Sequence, residues 1–433
     1  MHANISRVLD APNLRDDFYC SILAYSATSQ TLAVGLGNLL YAWSESHGVR
    51  LLNASNVPGA YLTSVAFSST QGGRSILAYG RNDRTLGLMS LMDDDGNDGT
   101  PPLPRFEIIK LLPITCVSWK PTPTTRPSRS PMYPCAFIKT EDLLVGDESG
   151  MVYYFSVEWP ERWEVERYNW RGSITNLARI NTHAQQICGI SWSKDGELFA
   201  TGGNDNHCCL FETKKVLMGA RGFEWGREAT GDDVDRQPPP NPDTDVNTFI
   251  QGDEKHRWRH LAAVKAIAFC PWQEGLVAVG GGSNDKCIHF YHTTSGAPLA
   301  TISVSAQVTS LIWSTKKREI AATFGYAQPD HCIRIAVFSW PDCRQVAAIP
   351  FAPEFRALYA IPYPGFAGAS PGTRSRDPRM EGCIMVASSD KSVKFHEVWG
   401  KEKRTTAGGA GMLTSSDILE SLEGIDREGD VIR

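Results

Sequence analysis

Residues 260–291 read HLAAVKAIAFCPWQEGLVAVGGGSNDKCIHFY. A polar turn carries His260. Val264, Ile267 and Phe269 follow as apolar positions of a strand. A turn at Pro271-Trp272-Gln273 leads into the apolar run 276–279. Then come Gly280-Gly281-Gly282, a tight turn at Asn284-Asp285, and a third strand closing on Phe290 and Tyr291. Gly280-Gly281-Gly282 lies between strands rather than at the start of a helix, so it reads as a tight bend and not as a phosphate cradle. Strand, turn, strand, turn, strand within one short segment describes a small antiparallel sheet. A sheet of this kind recurring every ~40–50 residues is a blade of a β-propeller.

The recurrence is present. Units can be laid out at 19–46, 60–92, 114–157, 183–212, 260–291 and 306–340, and a last one is built from FRALYAIPY (355–363) and CIMVASSDKSVKFHE (383–397). The expected fold is therefore all-β, a seven-bladed WD-repeat β-propeller. His183 with Asp205 in the fourth unit recurs as His260 with Asp285 in the fifth. In WD repeats such a pair bonds to a strand Ser or Thr and to a Trp, so these residues are read as structural. The final Trp is kept only as Trp43; Phe211, Tyr291 and Phe338 stand in its place elsewhere. A ring of sheets leaves one strand edge to be closed. ISRVL at 5–9 is the candidate outer strand of the last blade.

The expected organisation is a closing strand and lead-in over 1–18, the propeller over 19–399, and a flexible tail over 400–433. Stretches near 93–105, 121–134, 213–256 and 363–380 are rich in Pro, Asp, Arg and Gly and are read as surface loops, with Ser130-Pro131 as an exposed candidate phosphosite. KEKRTTAGGAGM at 401–412 reads as a linker. Ser416-Asp417 is placed to cap a short helix after it.

Composition narrows the function. The formal net charge is −5, which gives no global pull toward nucleic acid or an anionic membrane. No apolar run reaches membrane-spanning length and the first residues lack a signal-peptide core. The 11 cysteines are scattered without a CxxC pair, as expected of reduced thiols in the nucleus and cytoplasm. His207-Cys208-Cys209 cannot converge on one ion, because neighbouring strand residues face opposite ways. No metal and no cofactor is expected. There is no nucleotide-binding, zinc-hydrolase or nucleophile-elbow motif, and no apolar-flanked carboxylate pair, so the chain is not read as an enzyme.

Several segments go beyond a generic propeller. RVLDAPNLRDDFYCSILAYS (7–26), GGNDN (202–206), AAVKAIAFCPWQ (262–273) with GGGSNDKCI (280–288), and AQVTSLIWS (306–314) together resemble the Fizzy/Fizzy-related family, the WD-repeat activators and substrate receptors of the anaphase-promoting complex, a cell-cycle ubiquitin ligase. The resemblance implies that degron-bearing cell-cycle proteins and a tetratricopeptide-repeat subunit of the ligase are the partners. It implies that Ile432-Arg433 at the C-terminus docks into that subunit. It also implies a binding site for Lys-Glu-Asn degrons on the top face, at Asn204, Ser283, Gln307 and Arg356, with Arg356 set to pair with the degron glutamate. Ser283 stands where the family usually has Thr.

The chain departs from the family pattern in three places. The family's destruction-box groove, between the first and last blades, carries two acids that meet a degron arginine. Here the matching positions are Ala24 and Lys391. One negative charge is lost and another reversed, which predicts weak capture of a cationic residue. The family's N-terminal motif, of the form Asp-Arg-Tyr-Ile-Pro, has no counterpart ahead of the closing strand. That leaves an upstream segment outside this sequence, or docking through the tail alone. The divergent blades point to a specialised, meiosis-type fungal activator. The alternative reading is a non-catalytic scaffold or decoy that does not activate the ligase.

Overall fold

The computed structural model describes residues 5–93, 101–109, 112–133, 136–218, 246–327, 331–363 and 382–399. Its strands form seven sheets around an axis, antiparallel but for one parallel pair at the outer edge of the third. Blade one is Leu23–Ser26, Thr31–Leu36, Leu39–Ser44 and Gly48–Ala54. Blade five, from the stretch that opens the sequence reading, is Val264–Phe269, Leu276–Gly281, Cys287–His292 and Pro298–Ser303. Ile5–Asp10 pairs antiparallel with Ser392–Glu397, Leu9 opposite Val393, and becomes the outer strand of blade seven. The expected closing strand is thus in place.

Burial explains the ring. Apolar residues form seven clusters, one for each adjacent pair of blades. Ile22, Leu23 and Val34 of blade one meet Leu358, Met385 and Phe395 of blade seven, so the last interface is packed like the others. Every residue of Ala306–Trp313, an inner strand, is buried. A cavity of about 300 Å³ runs along the axis, with Tyr25, Phe67, Ser118, Ile190, Ile267, Leu311 and Ile361 on its wall, one from each blade.

Blade four carries the expected His–Asp lock. His183 Nδ1 lies 3.0 Å from Asp205 Oδ1 and His183 Nε2 lies 2.8 Å from Thr201 Oγ1. Burial raises the Asp205 carboxyl, but the His183 hydrogen bond and charge and the backbone N–H groups of Ala184 and His207 outweigh it and hold it at about 2. A side chain at Gly203 would collide with both partners, its Cβ 2.4 Å from Asp205 Oδ1 and 2.5 Å from His183 Nδ1. Phe211, at the Trp position, stacks on Phe199 at 5.0 Å.

Several expectations need correction. Residues 121–134 are not all loop: Thr124–Pro127 is a strand on Phe137–Asp147. Arg126 reaches the fully buried Asp142, its Nη2 donating to Oδ2 at 3.0 Å. Ser130 is 6% exposed and not a surface site. Composition missed this because Arg126 looks like a solvated charge until its buried partner is known. Likewise 213–256 contains Thr213–Met218, a helix, and Asn247–Ile250, which extends blade three in parallel, and it ends on the first residue of His256–Arg259, the fourth strand of blade four. The repeat alignment ended that blade at Glu212 because its last strand follows a long insertion.

The His–Asp pair does not recur in the same form in blade five. His260 Nδ1 lies 3.8 Å from Asp285 Oδ2, beyond hydrogen-bond reach, and His289 Nε2 takes Asp285 Oδ1 at 2.7 Å.

Candidate functional site

The lead-in between the closing strand and blade one builds the site. After Asp10 the chain turns, with Ala11 N–H bonded to Lys391 O at 2.8 Å and Leu14 N–H to Ala11 O at 3.0 Å. It then meets Lys265 of blade five. That lysine is 5% exposed. It donates to the carbonyls of Phe18 and Cys20, the latter at 2.8 Å, and lies 5.4 Å from the Phe18 ring centre and 5.0 Å from that of Tyr359. Burial pulls the Lys265 pKa down to about 8. Two carbonyl dipoles and two ring faces are what keep a charged amine tolerable there.

With Phe18 and Cys20 held, the side chains before and between them reach the expected degron-binding positions. Tyr19 Oη donates to Asn204 Oδ1 at 2.9 Å, and Asn204 Nδ2 donates to Gln185 Oε1 at 2.7 Å. Asp16 makes an ion pair with Arg356. The Arg356 guanidinium lies 4.2 Å from the ring centre of Tyr326, a residue 63% exposed. Gln307 Oε1 faces Tyr326 N–H at 3.5 Å. Arg356 is fixed at its backbone, where N–H donates to Ser389 Oγ at 2.8 Å.

Asn204, Gln307 and Arg356, on blades four, six and seven, are therefore linked through Asp16, Tyr19 and Tyr326 rather than directly. Ser283 is exposed on the turn of blade five and shares no hydrogen bond with the other three. Ala24 is buried in the cluster joining blades one and two. Lys391 is exposed on the turn of blade seven at φ 61°. No shared cluster, ion pair or hydrogen bond brings Ala24 and Lys391 together. Ile432 and Arg433 lie outside the described residues.

Sequence reasoning missed Asp16, Tyr19, Lys265 and Tyr326. The run Asp16-Asp17-Phe18-Tyr19 offered a signal, since exposed aromatics beside paired acids just before a rigid disc are poor core material. Lys265 gave none: in VKAIAF its charge reads as solvated until the carbonyls that hold it are known.

Chemically, the face is built for recognition. Arg356 offers a planar fork suited to a carboxylate. The amides offer paired donors and acceptors. Tyr326 supplies a flat wall. No metal cluster forms at 207–209: Cys208 faces blade five and Cys209 faces blade three.

Comparison with known proteins agrees with this architecture. The family model for the WD domain, G-beta repeat, matches residues 174–212. The chain is 31% identical to meiotic fizzy-related protein 2 of Schizosaccharomyces pombe over 98% of its length and 69% of that protein's. It is 30% identical to the meiosis-specific APC/C activator protein AMA1 of Saccharomyces cerevisiae over 97% of its length and 62% of that protein's. It thus spans about two thirds of the length of these relatives. A chain in a crystal structure of a mitotic checkpoint complex superposes with a TM-score of 0.63 at 25% identity, covering 92% of this chain and 96% of that one. Similarity this extended, over every blade and the lead-in, shows that the chain belongs to the Fizzy/Fizzy-related family of non-catalytic WD-repeat proteins.

Proposed function

We propose that this chain is a substrate-recruiting activator subunit of the anaphase-promoting complex. A relative named as a meiosis-specific activator of that complex supports the reading. In this reading Asn204, Gln307 and Arg356, with Ser283 beside them, hold a Lys-Glu-Asn degron, and Ile432-Arg433 docks on a tetratricopeptide-repeat subunit of the ligase. The observation that carries the degron site is the ion pair between Arg356 and Asp16. It marks Arg356 as a carboxylate-binding group on an open face, already engaged by an acid of the chain itself. A degron glutamate would exchange with Asp16.

The test is binding of a fluorescent Lys-Glu-Asn peptide to the full chain and to R356A and N204A. Loss of binding in both is expected. Equal binding by all three proteins would overturn the site. Capture of the ligase by the full chain and by a form lacking Ile432-Arg433 tests docking separately, and capture without ubiquitination would favour a decoy.

A further inference from the structure

Blade five differs from blade four at the positions around its turn aspartate. The strand pairings align the two blades: Thr201 opposes Cys209 in blade four, and Val279 opposes His289 in blade five. Cys209 in turn opposes Arg257, and His289 opposes Thr301. In blade four Thr201 Oγ1 satisfies His183, and Arg257 places a guanidinium nitrogen 3.9 Å from Asp205. In blade five Val279 has no hydroxyl to offer. His260, 3% exposed, is left with neither ring nitrogen hydrogen-bonded. Thr301 removes the guanidinium from the cation's place, and a second imidazole, His289, enters instead.

We propose that His260, Asp285 and His289 form a binding site for a divalent transition-metal ion, with zinc the best fit. Their ligand atoms all lie within 4.8 Å of one another. Ligands of a tetrahedral zinc ion stand about 3.3 Å apart at bond lengths near 2.0–2.1 Å, so small side-chain rotations close the set. Two imidazoles and one carboxylate are a zinc-type donor combination. The supporting contacts are those of a built site. Leu261 N–H donates to Asp285 Oδ2 at 2.9 Å. Thr301 Oγ1 lies 3.3 Å from His289 Nδ1, leaving Nε2 directed at the carboxylate. The His289 side chain is 20% exposed, which gives the ion an entry side and leaves room for a water ligand. An ion there ties the Asn284-Asp285 turn to the strand Cys287–His292 and to His260 at the head of the blade.

The test uses the full chain, stripped with chelator and then dialysed against Zn²⁺. Metal analysis after gel filtration is expected to find one equivalent retained, with a raised melting temperature. H289Q, altered at the most accessible ligand, is expected to lose both. T301R, which restores the blade-four cation on an exposed outer strand, is expected to fold and to lose both as well. Wild type retaining no zinc would overturn the site, as would H289Q retaining a full equivalent.

Discussion

The Tyr19 hydroxyl donates to Asn204 Oδ1 at 2.9 Å, joining residues 185 positions apart. With the Asp16–Arg356 pair, it lays the lead-in across the same side chains that are proposed to hold a degron. D16N should therefore bind a Lys-Glu-Asn peptide more tightly than wild type. Asp16 is 43% exposed, and exposed ion pairs are worth ~0–1 kcal/mol, so the gain should be about two- to fivefold in Kd. Fluorescence anisotropy measures it. Weaker binding by D16N would mean that Asp16 helps to hold the peptide.

Arg126 and Asp142 predict a stability effect. Asp142 is fully buried and takes hydrogen bonds from Arg126, from Thr124 Oγ1 and from Tyr154 Oη, the last two at 2.8 Å each. R126A leaves a buried carboxylate without its cation and should destabilise by about 3–5 kcal/mol. Urea unfolding of the two proteins checks this. R126A combined with D142N should recover part of the loss.

Acid should weaken the fold through His396. The ring is 1% exposed, stacks on Phe351 at 5.6 Å, and has neither nitrogen hydrogen-bonded. Burial, and then the nearby Lys394, lower its pKa from 6.5 to about 4. Between those values the unfolded chain binds more protons than the folded one, so stability rises with pH across that window and is lost as pH falls through it. The full effect is on the order of 3 kcal/mol. H396L should flatten the melting-temperature profile over that window. An unchanged slope would assign the acid sensitivity elsewhere.

Removing residues 1–10 should expose the edge of Ser392–Glu397, which Ile5–Asp10 now covers. The shortened chain should melt lower and self-associate through the open edge. Light scattering and thermal unfolding would show it. A monomer of unchanged stability would show that the strand is dispensable.

The ring was legible in the sequence because its signals are local. Alternation, turn residues and the His183–Asp205 spacing each lie within one blade, and the closing strand showed as a segment, ISRVL, left over ahead of the first blade. The rest depends on pairs distant along the chain. Arg126 and Lys265 carry charge, and only their partners Asp142, Phe18 and Cys20 explain their burial. Asn204, Gln307 and Arg356 could be named from resemblance, but Asp16 and Tyr19, which touch two of them, could not. Val279 and Thr301 matter through what they replace, which becomes visible only when strand pairing aligns two blades.

The closing strand also sets an order of events during synthesis. Ile5–Asp10 emerges from the ribosome ahead of all seven blades, and its partner Ser392–Glu397 emerges nearly four hundred residues later. Until then the first strand has no mate in its own blade, and the contact it awaits spans the whole propeller. Slow, nonlocal closure of this kind exposes unpaired edges to other chains. The blade that seals the finished disc is thus the one most in need of shelter while the protein is being made.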